Sequence, residues 1–417
     1  MKILLIDNFF YRKGGAEVVF LNTGDLLRKA GHGVVYFSFE WEKNLPCGQS
    51  SFFSKGIAVD QRGVMDKIKG AINYFYNFDA AKRLDKLIEA EKPDVAHLHL
   101  FWGAMSPSIF KVLKKHNIPI VHTAHDFRMV CPAYLFKDGK DNICEKCGGG
   151  KFYNCLLNRC SKGSVVLSGL MTMEMYFRNT FFHPVKNIDS FMFVSNFSKN
   201  KHLQYDKRFE KSRNVVMYNF QDVTVLANVD DTIDTYDSYY LFYGRLSEEK
   251  GIKTLIQAMK QFPNLKLKIV GTGPLEDELK KFCVENKLGD VEFLGFKSGD
   301  ELFDLVRRAK FTCVTSECYE NNPMTIIESY TLRTPVIGAA IGGITEIIAN
   351  NKTGFSFESG RVDDLVRAIG EAEALSHSEY SEMKSNAARF ATDNFGKENY
   401  YNKLMELYKV TIDSYKK

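Results

Sequence analysis

Short hydrophobic runs alternate with longer amphipathic stretches along most of this chain, and the alternation starts twice. "KILLID" (2–7) reads as a buried strand, followed by the loop "NFFYRKGG" and a helix through "AEVVFLNTGDLLRKAG". "HGVVYFSF" (32–39), "DVAHLHL" (94–100) and "IPIVHTAHD" (118–126) continue as strands, with a helix near 105–116 between the last two. Two parallel strands can be joined only by a crossover of a dozen or more residues, usually a helix. The rhythm therefore confines the chain to doubly wound α/β sheets.

At 128–187 the rhythm breaks into a Cys-, Gly-, Met- and Phe-rich insertion, and it resumes at "SFMFVSNFSKN" (190–200). A polar stretch, "NVDDTIDTYDSY" (228–239), reads as a linker, and strands and helices then begin afresh at "YYLFYG". With 417 residues, the chain is too long for one ordinary core. The expected organisation is a first Rossmann-like domain over 1–220 with its insertion, and a second over 221–396. A C-terminal helix, 397–417, is expected to pack back on the first.

Composition narrows the function. A hydrophobic fraction of 45% and a charged fraction of 26% are those of a soluble globular protein. A net charge of +5 argues against a duplex-DNA binder, and no nucleic-acid partner is expected. The same charge suits a polyanionic substrate or an anionic membrane face. Asp7 interrupts what would be the core of a signal peptide, and "VVLSGLMTMEMYF" (165–177) is too short to span a bilayer and carries Glu174. The expected compartment is the cytoplasm, where disulfides are rare.

In "SECYENNPMTIIES" (316–329), Glu320 precedes Pro323 on a loop and Glu328 lies on the helix that follows. "KFTCVT" (310–315) places this unit at the edge of a sheet where ligands bind, with Pro323 at the first helical position. "IVGTGPLEDEL" (269–279) lacks the third glycine of a dinucleotide fingerprint, because Glu276 stands there; a tight turn before a helix explains it equally well. Gly14 and Gly15 follow the first strand, where backbone N–H groups can approach an anion. Arg245 and Lys250, in "YGRLSEEKG", either clamp a diphosphate or belong to a solvated loop. His97, His99, His122 and His125 either form a histidine-rich metal centre with Asp126, or are mostly packed or solvated with His125 meeting a ligand as a neutral ring.

Together these pieces resemble the family-4 retaining glycosyltransferases of the GT-B fold (glycosyl transferases group 1). The residues that carry the likeness are "KGGAE" 13–17, "PDVAHLH" 93–99, "TAHDF" 123–127, "YGRLSEEKG" 243–251, "VGTGP" 270–274, "GGITEII" 342–348 and the spacing of Glu320 to Glu328. The resemblance implies two Rossmann-like domains facing a central cleft and a UDP- or GDP-sugar donor held by the second. Glu328 would take the ribose hydroxyls, and Arg245 and Lys250 the diphosphate. Glu320 would touch the sugar, and the backbone from Asn322 through Pro323 and Met324 to Thr325 would face it. Gly14 and Gly15 would close over the phosphates, His125 would sit near the reacting carbon, and Gly273 with Phe296 would meet the base. It further implies retention of configuration and no metal for the reaction. A glycan or lipid-linked acceptor, as in surface-polysaccharide assembly at the inner membrane face, is expected from the aromatic and cationic segments 168–186 and 67–86. Asn321-Asn322-Pro323 departs from the family's usual Gly-Phe-Gly or Gly-Phe-Pro run, which leaves the donor sugar open.

Three other readings stand beside it. A nucleotide-sugar epimerase of the same two-domain type needs no acceptor. A glycosidase would need both carboxylates across one anomeric carbon, and a helix places Glu328 behind Glu320. A non-catalytic carbohydrate binder would be expected to have lost Arg245, Lys250 or Glu328.

The insertion has its own chemistry. Cys131, Cys144, Cys147 and Cys160 are the expected ligands of a structural zinc, with Cys155 spare; reduced cysteines in a compact loop are the alternative. "SGLMTMEMYFRNTFFHPVK" (168–186) and "KIKGAINYFYNFDAAKRLDK" (67–86) mix aromatic and cationic residues. Each reads either as core or as a face for a membrane.

Overall fold

The computed structural model describes residues 1–55, 64–103, 105–221 and 237–416, with the backbone alone for 64–69 and 237. Most of the 228–239 linker and the first residues of the 67–86 segment, as far as their side chains go, lie outside what is described. The chain forms two compact units, Met1–Met217 with Tyr401–Lys417, and Tyr218–Tyr400.

In the first unit the strands are Lys2–Ile6 (β1), Gly33–Phe37 (β2), Phe39–Glu40 (β3), Ser54–Lys55 (β4), Val95–Leu98 (β5), Ile120–Ala124 (β6), Ser190–Phe193 (β7) and Arg213–Val216 (β8). Six of them make one parallel sheet in the order β2-β1-β5-β6-β7-β8, and β3 pairs with β4. β5, β6 and β7 are buried along their whole length, as central strands covered on both faces are. The C-terminal helix, Lys397–Tyr415, contributes to this unit: the Tyr408 hydroxyl meets His97 Nδ1 at 2.7 Å, and Thr411 meets Ser190 at 2.8 Å.

The second unit holds Asp237–Tyr243 (β9), Lys266–Val270 (β10), Val291–Phe293 (β11), Ala309–Val314 (β12), Val336–Ala339 (β13) and Gly354–Phe357 (β14). Their order is β11-β10-β9-β12-β13-β14, all parallel. One core cluster joins Tyr240, Phe242, Leu255, Ile269, Phe311 and Ile337 beneath the helices of one face.

Chain order reverses direction between β1 and β5 in the first sheet and between β9 and β12 in the second. At such a switch point the loops leaving the strands' carboxyl ends diverge to opposite faces and leave a crevice, where ligands of open α/β sheets bind.

The insertion helix Val165–Phe181 turns its composition inside out. Its inner face holds Ser168, Thr172 and a buried ion pair in which Arg178 Nε donates to Glu174 Oε1 at 2.8 Å. Outward it shows Val166 at 80%, Met173 at 63% and Phe181 at 68% exposure, beside exposed Tyr153 and Leu157. Among the described residues no helix is long and apolar enough to cross a membrane.

Candidate active site

In the second unit, the loops leaving β9 and β12 bring together side chains 70 residues apart. Lys250 Nζ donates to Glu320 Oε1 at 2.5 Å, and Ser316 Oγ donates to the same oxygen at 2.8 Å. Burial alone would raise the Glu320 pKa, but the Lys250 ammonium and the Ser316 hydroxyl outweigh it and hold the carboxyl below its ordinary value. Burial pulls Lys250 down, and Glu320 more than reverses this, so the ammonium is strengthened. Both partners are charged at neutral pH.

The backbone around the pair is sewn tightly. Thr315 Oγ1 donates to the Lys250 carbonyl at 2.9 Å, and Glu317 N to that of Glu249 at 2.9 Å. Gly251, at φ +61°, lies so close that a Cβ would stand 1.9 Å from the Thr315 carbonyl oxygen. Gly342, also at φ +61°, meets the Glu320 carbonyl oxygen in the same way at 2.4 Å, and Gly343 N donates to that oxygen at 2.7 Å. The glycine pair of "GGITEII" thus serves as a rest for the Glu320 backbone.

Glu328 is half-buried on the helix Met324–Thr331. Pro323 caps that helix with extended ψ, one residue before the first helical position expected for it. The Tyr243 hydroxyl donates to the Thr325 carbonyl at 2.7 Å, and burial followed by the Glu328 carboxylate pushes its pKa well up. Tyr243 therefore supports Glu328 from beneath, a role its place before Gly244 and Arg245 gave no hint of. Asn322 is engaged: its Oδ1 accepts from Asn219 N at 2.7 Å and its carbonyl from Asn219 Nδ2 at 3.0 Å. Met324 is buried. The Arg245 side chain is exposed and makes no hydrogen bond or ion pair among the described residues, while its carbonyl accepts from Ser247 N at 3.1 Å. A Cβ at Gly273 would stand 2.2 Å from the Leu246 carbonyl oxygen, so glycine there lets two loops touch; Phe296, after β11, is exposed.

The first unit gathers its own group at the β1/β5 switch point. His99 Nδ1 and His125 Nε2 share a hydrogen bond of 2.9 Å, and His97 Nε2 meets Thr123 Oγ1 at 2.7 Å. His99 Nδ1 and His125 Nε2 thus occupy one another. Burial drives His97 and His122 down to about 3 and pushes His99 and His125 down too, so all four rings are neutral at physiological pH. Gly14 caps the helix Gly15–Lys29 in extended conformation, and both glycines are exposed. Beneath them Asp7 and Glu17, both buried, are both raised: burial is the largest cause for each, and the Glu17 charge adds to it at Asp7. Asp7 accepts from Phe9 N at 2.9 Å and Leu100 N at 3.1 Å, tying the loops after β1 and β5 together.

The five cysteines of the insertion share one neighbourhood. Cys131, Cys147 and Cys155 are buried, and Cys144 and Cys160 half-buried. Cys155, expected to be spare, is fully enclosed and hydrogen-bonds the Cys160 thiol. Burial, then Cys131, Cys155 and Cys144, push the Cys147 thiol up to about 12. A donor set of thiols without carboxylates fits a soft tetrahedral cation such as zinc. Among the described residues, the three metal-competent side chains whose ligand atoms lie within 4.8 Å of one another are Asp85, Glu89 and His116.

Two parallel α/β sheets, each with its polar cluster at a switch point, define an enzyme of the GT-B architecture. Residues 13–225 match the sequence profile of Glycosyltransferase Family 4, and residues 229–390 that of Glycosyl transferases group 1. The chain belongs to Glycosyltransferase Family 4. It is 27% identical over 258 residues to an uncharacterized glycosyltransferase of Methanocaldococcus jannaschii, covering 62% of this chain and 66% of that one. A protein in the cps region of Klebsiella pneumoniae is 24% identical over 366 residues, 83% of this chain and 87% of that one. Among solved structures, a glycosyltransferase from Rickettsia africae superposes with a TM-score of 0.68 at 18% identity, over 99% of this chain and 98% of that one. Anabaena HepE in complex with UDP does so with 0.67 at 18%, over 98% and 100%. At these identities the likeness to solved structures shows the fold.

Proposed function

We propose that the protein moves a sugar from a nucleotide-diphosphate donor to a glycan or lipid-linked glycan, with retention of anomeric configuration. The observation that carries this is the charged Lys250–Glu320 pair at the β9/β12 switch point, with Glu328 on the helix that leaves the same loop. Lys250 and the unengaged Arg245 would neutralise the departing diphosphate, and Glu320 would accept from the sugar's hydroxyls. Glu328, steadied by Tyr243, would accept from both ribose hydroxyls. The bond from the anomeric carbon to the phosphate oxygen breaks, and a bond to the acceptor oxygen forms. The acceptor's proton passes to the leaving phosphate. Catalysis is then charge stabilisation and orientation, with the neutral His125 ring as a dipole near the reacting carbon.

UDP in HepE, and UDP-glucose in the same protein, support a UDP-sugar as donor. A membrane-facing acceptor is supported by the outward apolar face of Val165–Phe181. Along the chain from 146 to 188 the exposed charged residues are Lys146, Lys151, Arg159, Lys162 and Lys186, followed by Asp189. In the insertion, a structural zinc on four of the five thiols is part of the same proposal.

Calorimetric titration with UDP, GDP, ADP and CDP, repeated on Glu328→Gln, tests the reading. One nucleotide should bind in the micromolar range and lose most of its affinity in the variant. Equal affinity in the variant removes the ribose role, and turnover of a nucleotide sugar without acceptor would point to the epimerase instead.

A further inference from the structure

The loop after β2 holds a second concavity in the first unit. It is an open cavity of about 430 Å³ walled by Glu40, Trp41, Glu42, Asn44, Leu45 and Phe53, among others. Small-ligand sites span roughly 300–1,000 Å³. Its position follows from the sheet: β1 and β2 are neighbours, so the loops leaving their carboxyl ends run side by side. Trp41 Nε1 donates to the Asn8 carbonyl at 3.2 Å, and Leu45 N to that of Phe10 at 2.9 Å. The Trp41 ring stacks on Phe9, with centroids 5.4 Å apart and planes at 28°. Phe9 in turn meets Tyr11 edge-on at 5.6 Å and carries the Lys13 ammonium 3.4 Å from its centroid. The cavity wall is thereby fastened to the segment that runs into Gly14 and Gly15.

We infer that this cavity is the subsite for a neutral pyranose ring of the acceptor glycan, with Trp41 as its stacking platform. The inference rests on the transferase reading, in which the Gly14–Gly15 loop meets the donor phosphates and the acceptor must lie close by. Trp41 is fixed by its N–H bond and by Phe9 on one side, yet 36% of it is exposed. A flat, pre-positioned aromatic surface is what the C–H face of a sugar ring packs against. Around it stand Glu42 and Glu40, the latter also meeting Arg83 Nη1 at 3.5 Å; both are acceptor-only groups and suit hydroxyl donors. Their charge disfavours a uronic acid or a phosphate. A cationic ligand is disfavoured too, because Lys13 already occupies Phe9 and one platform is not an aromatic cage.

The test is saturation-transfer NMR of the full chain with methyl glycosides of glucose, galactose and N-acetylglucosamine. Methyl glucuronide and choline serve as contrasting probes. At least one neutral glycoside should bind saturably. Trp41→Ala should weaken it roughly fivefold to tenfold, Glu42→Gln should weaken it less, and Trp41→Tyr should recover most of the affinity. UDP affinity should be the same in all three variants. Absence of neutral-glycoside binding, indifference to Trp41→Ala, or preference for glucuronide or choline overturns the assignment. A chain that binds glycoside at Trp41 but no nucleotide keeps the saccharide site and sinks the transferase reading.

Discussion

Glu320→Gln should bind UDP more tightly than the wild type while losing turnover. In the ligand-free protein Lys250 is held by Glu320 at 2.5 Å, so a diphosphate must first take the ammonium away. UDP has no sugar with which to satisfy the abandoned carboxylate, and the exchange therefore works against it. The size of the penalty follows from exposure. Side-chain accessibilities of 33% for Lys250 and 16% for Glu320 place the pair between two limits. Exposed pairs contribute about 0–1 kcal/mol, and removing one partner of a buried pair costs about 3–5 kcal/mol. A value of about 1–2 kcal/mol corresponds to UDP affinity roughly five- to thirtyfold higher in Glu320→Gln. Glutamine keeps an oxygen for the Ser316 hydroxyl, so the loop should hold. Calorimetry with UDP on wild type, Glu320→Gln and Lys250→Met reads the effect directly. The two variants should move in opposite directions, and a parallel loss of affinity would refute the exchange.

Other outcomes are expected elsewhere in the chain. Gly251→Ala sets a Cβ against the Thr315 carbonyl at positive φ and should cost the second unit about 2–4 kcal/mol, read as a fall in its thermal midpoint; an unchanged midpoint removes the strain. His97 and His122 sit near pKa 3 when folded and ordinarily near 6.5. Their contribution is therefore present above about 6.5 and lost as pH falls toward 3, at about 1.4 kcal/mol per pH unit for each ring. His122→Gln keeps a donor for the Leu98 carbonyl and should flatten the pH dependence of urea unfolding by that slope. Chain purified without a histidine tag should carry about one zinc, and a folded, metal-free sample ends that proposal. Vesicles with anionic lipid should sediment the protein and neutral vesicles should not, with binding lost in Phe181→Glu and at high salt.

Much of the fold could be read from periodicity. Apart from β8, the strands of the first sheet fall where the buried hydrophobic runs place them, and the C-terminal helix occupies Lys397–Tyr415. β8 escaped notice because Arg213–Val216 is a half-exposed edge strand without a hydrophobic run. The helix His377–Phe395 escaped because small alanines, Ala387 and Ala391, carry part of its buried face. At the site, residue types were legible, but partners were not. Lys250 finds Glu320 only because β9 and β12 adjoin, a fact of strand order that no local pattern encodes. Composition also cannot tell the inner face of Val165–Phe181 from the outer, since a buried Glu174–Arg178 pair reads as a solvated one.

That inside-out helix bears on how the protein behaves in a tube. Copies of the chain should meet with cations first, because the exposed Lys151, Arg159 and Lys162 lead into this helix. At low ionic strength their repulsion keeps those faces apart. Near 0.1 M salt the screening length shrinks to about 10 Å, and Val166, Met173 and Phe181 can touch their counterparts. Colloidal stability should therefore fall as moderate salt is added, against the usual salting-in, and the Phe181→Glu variant should stay clear where the wild type turns cloudy.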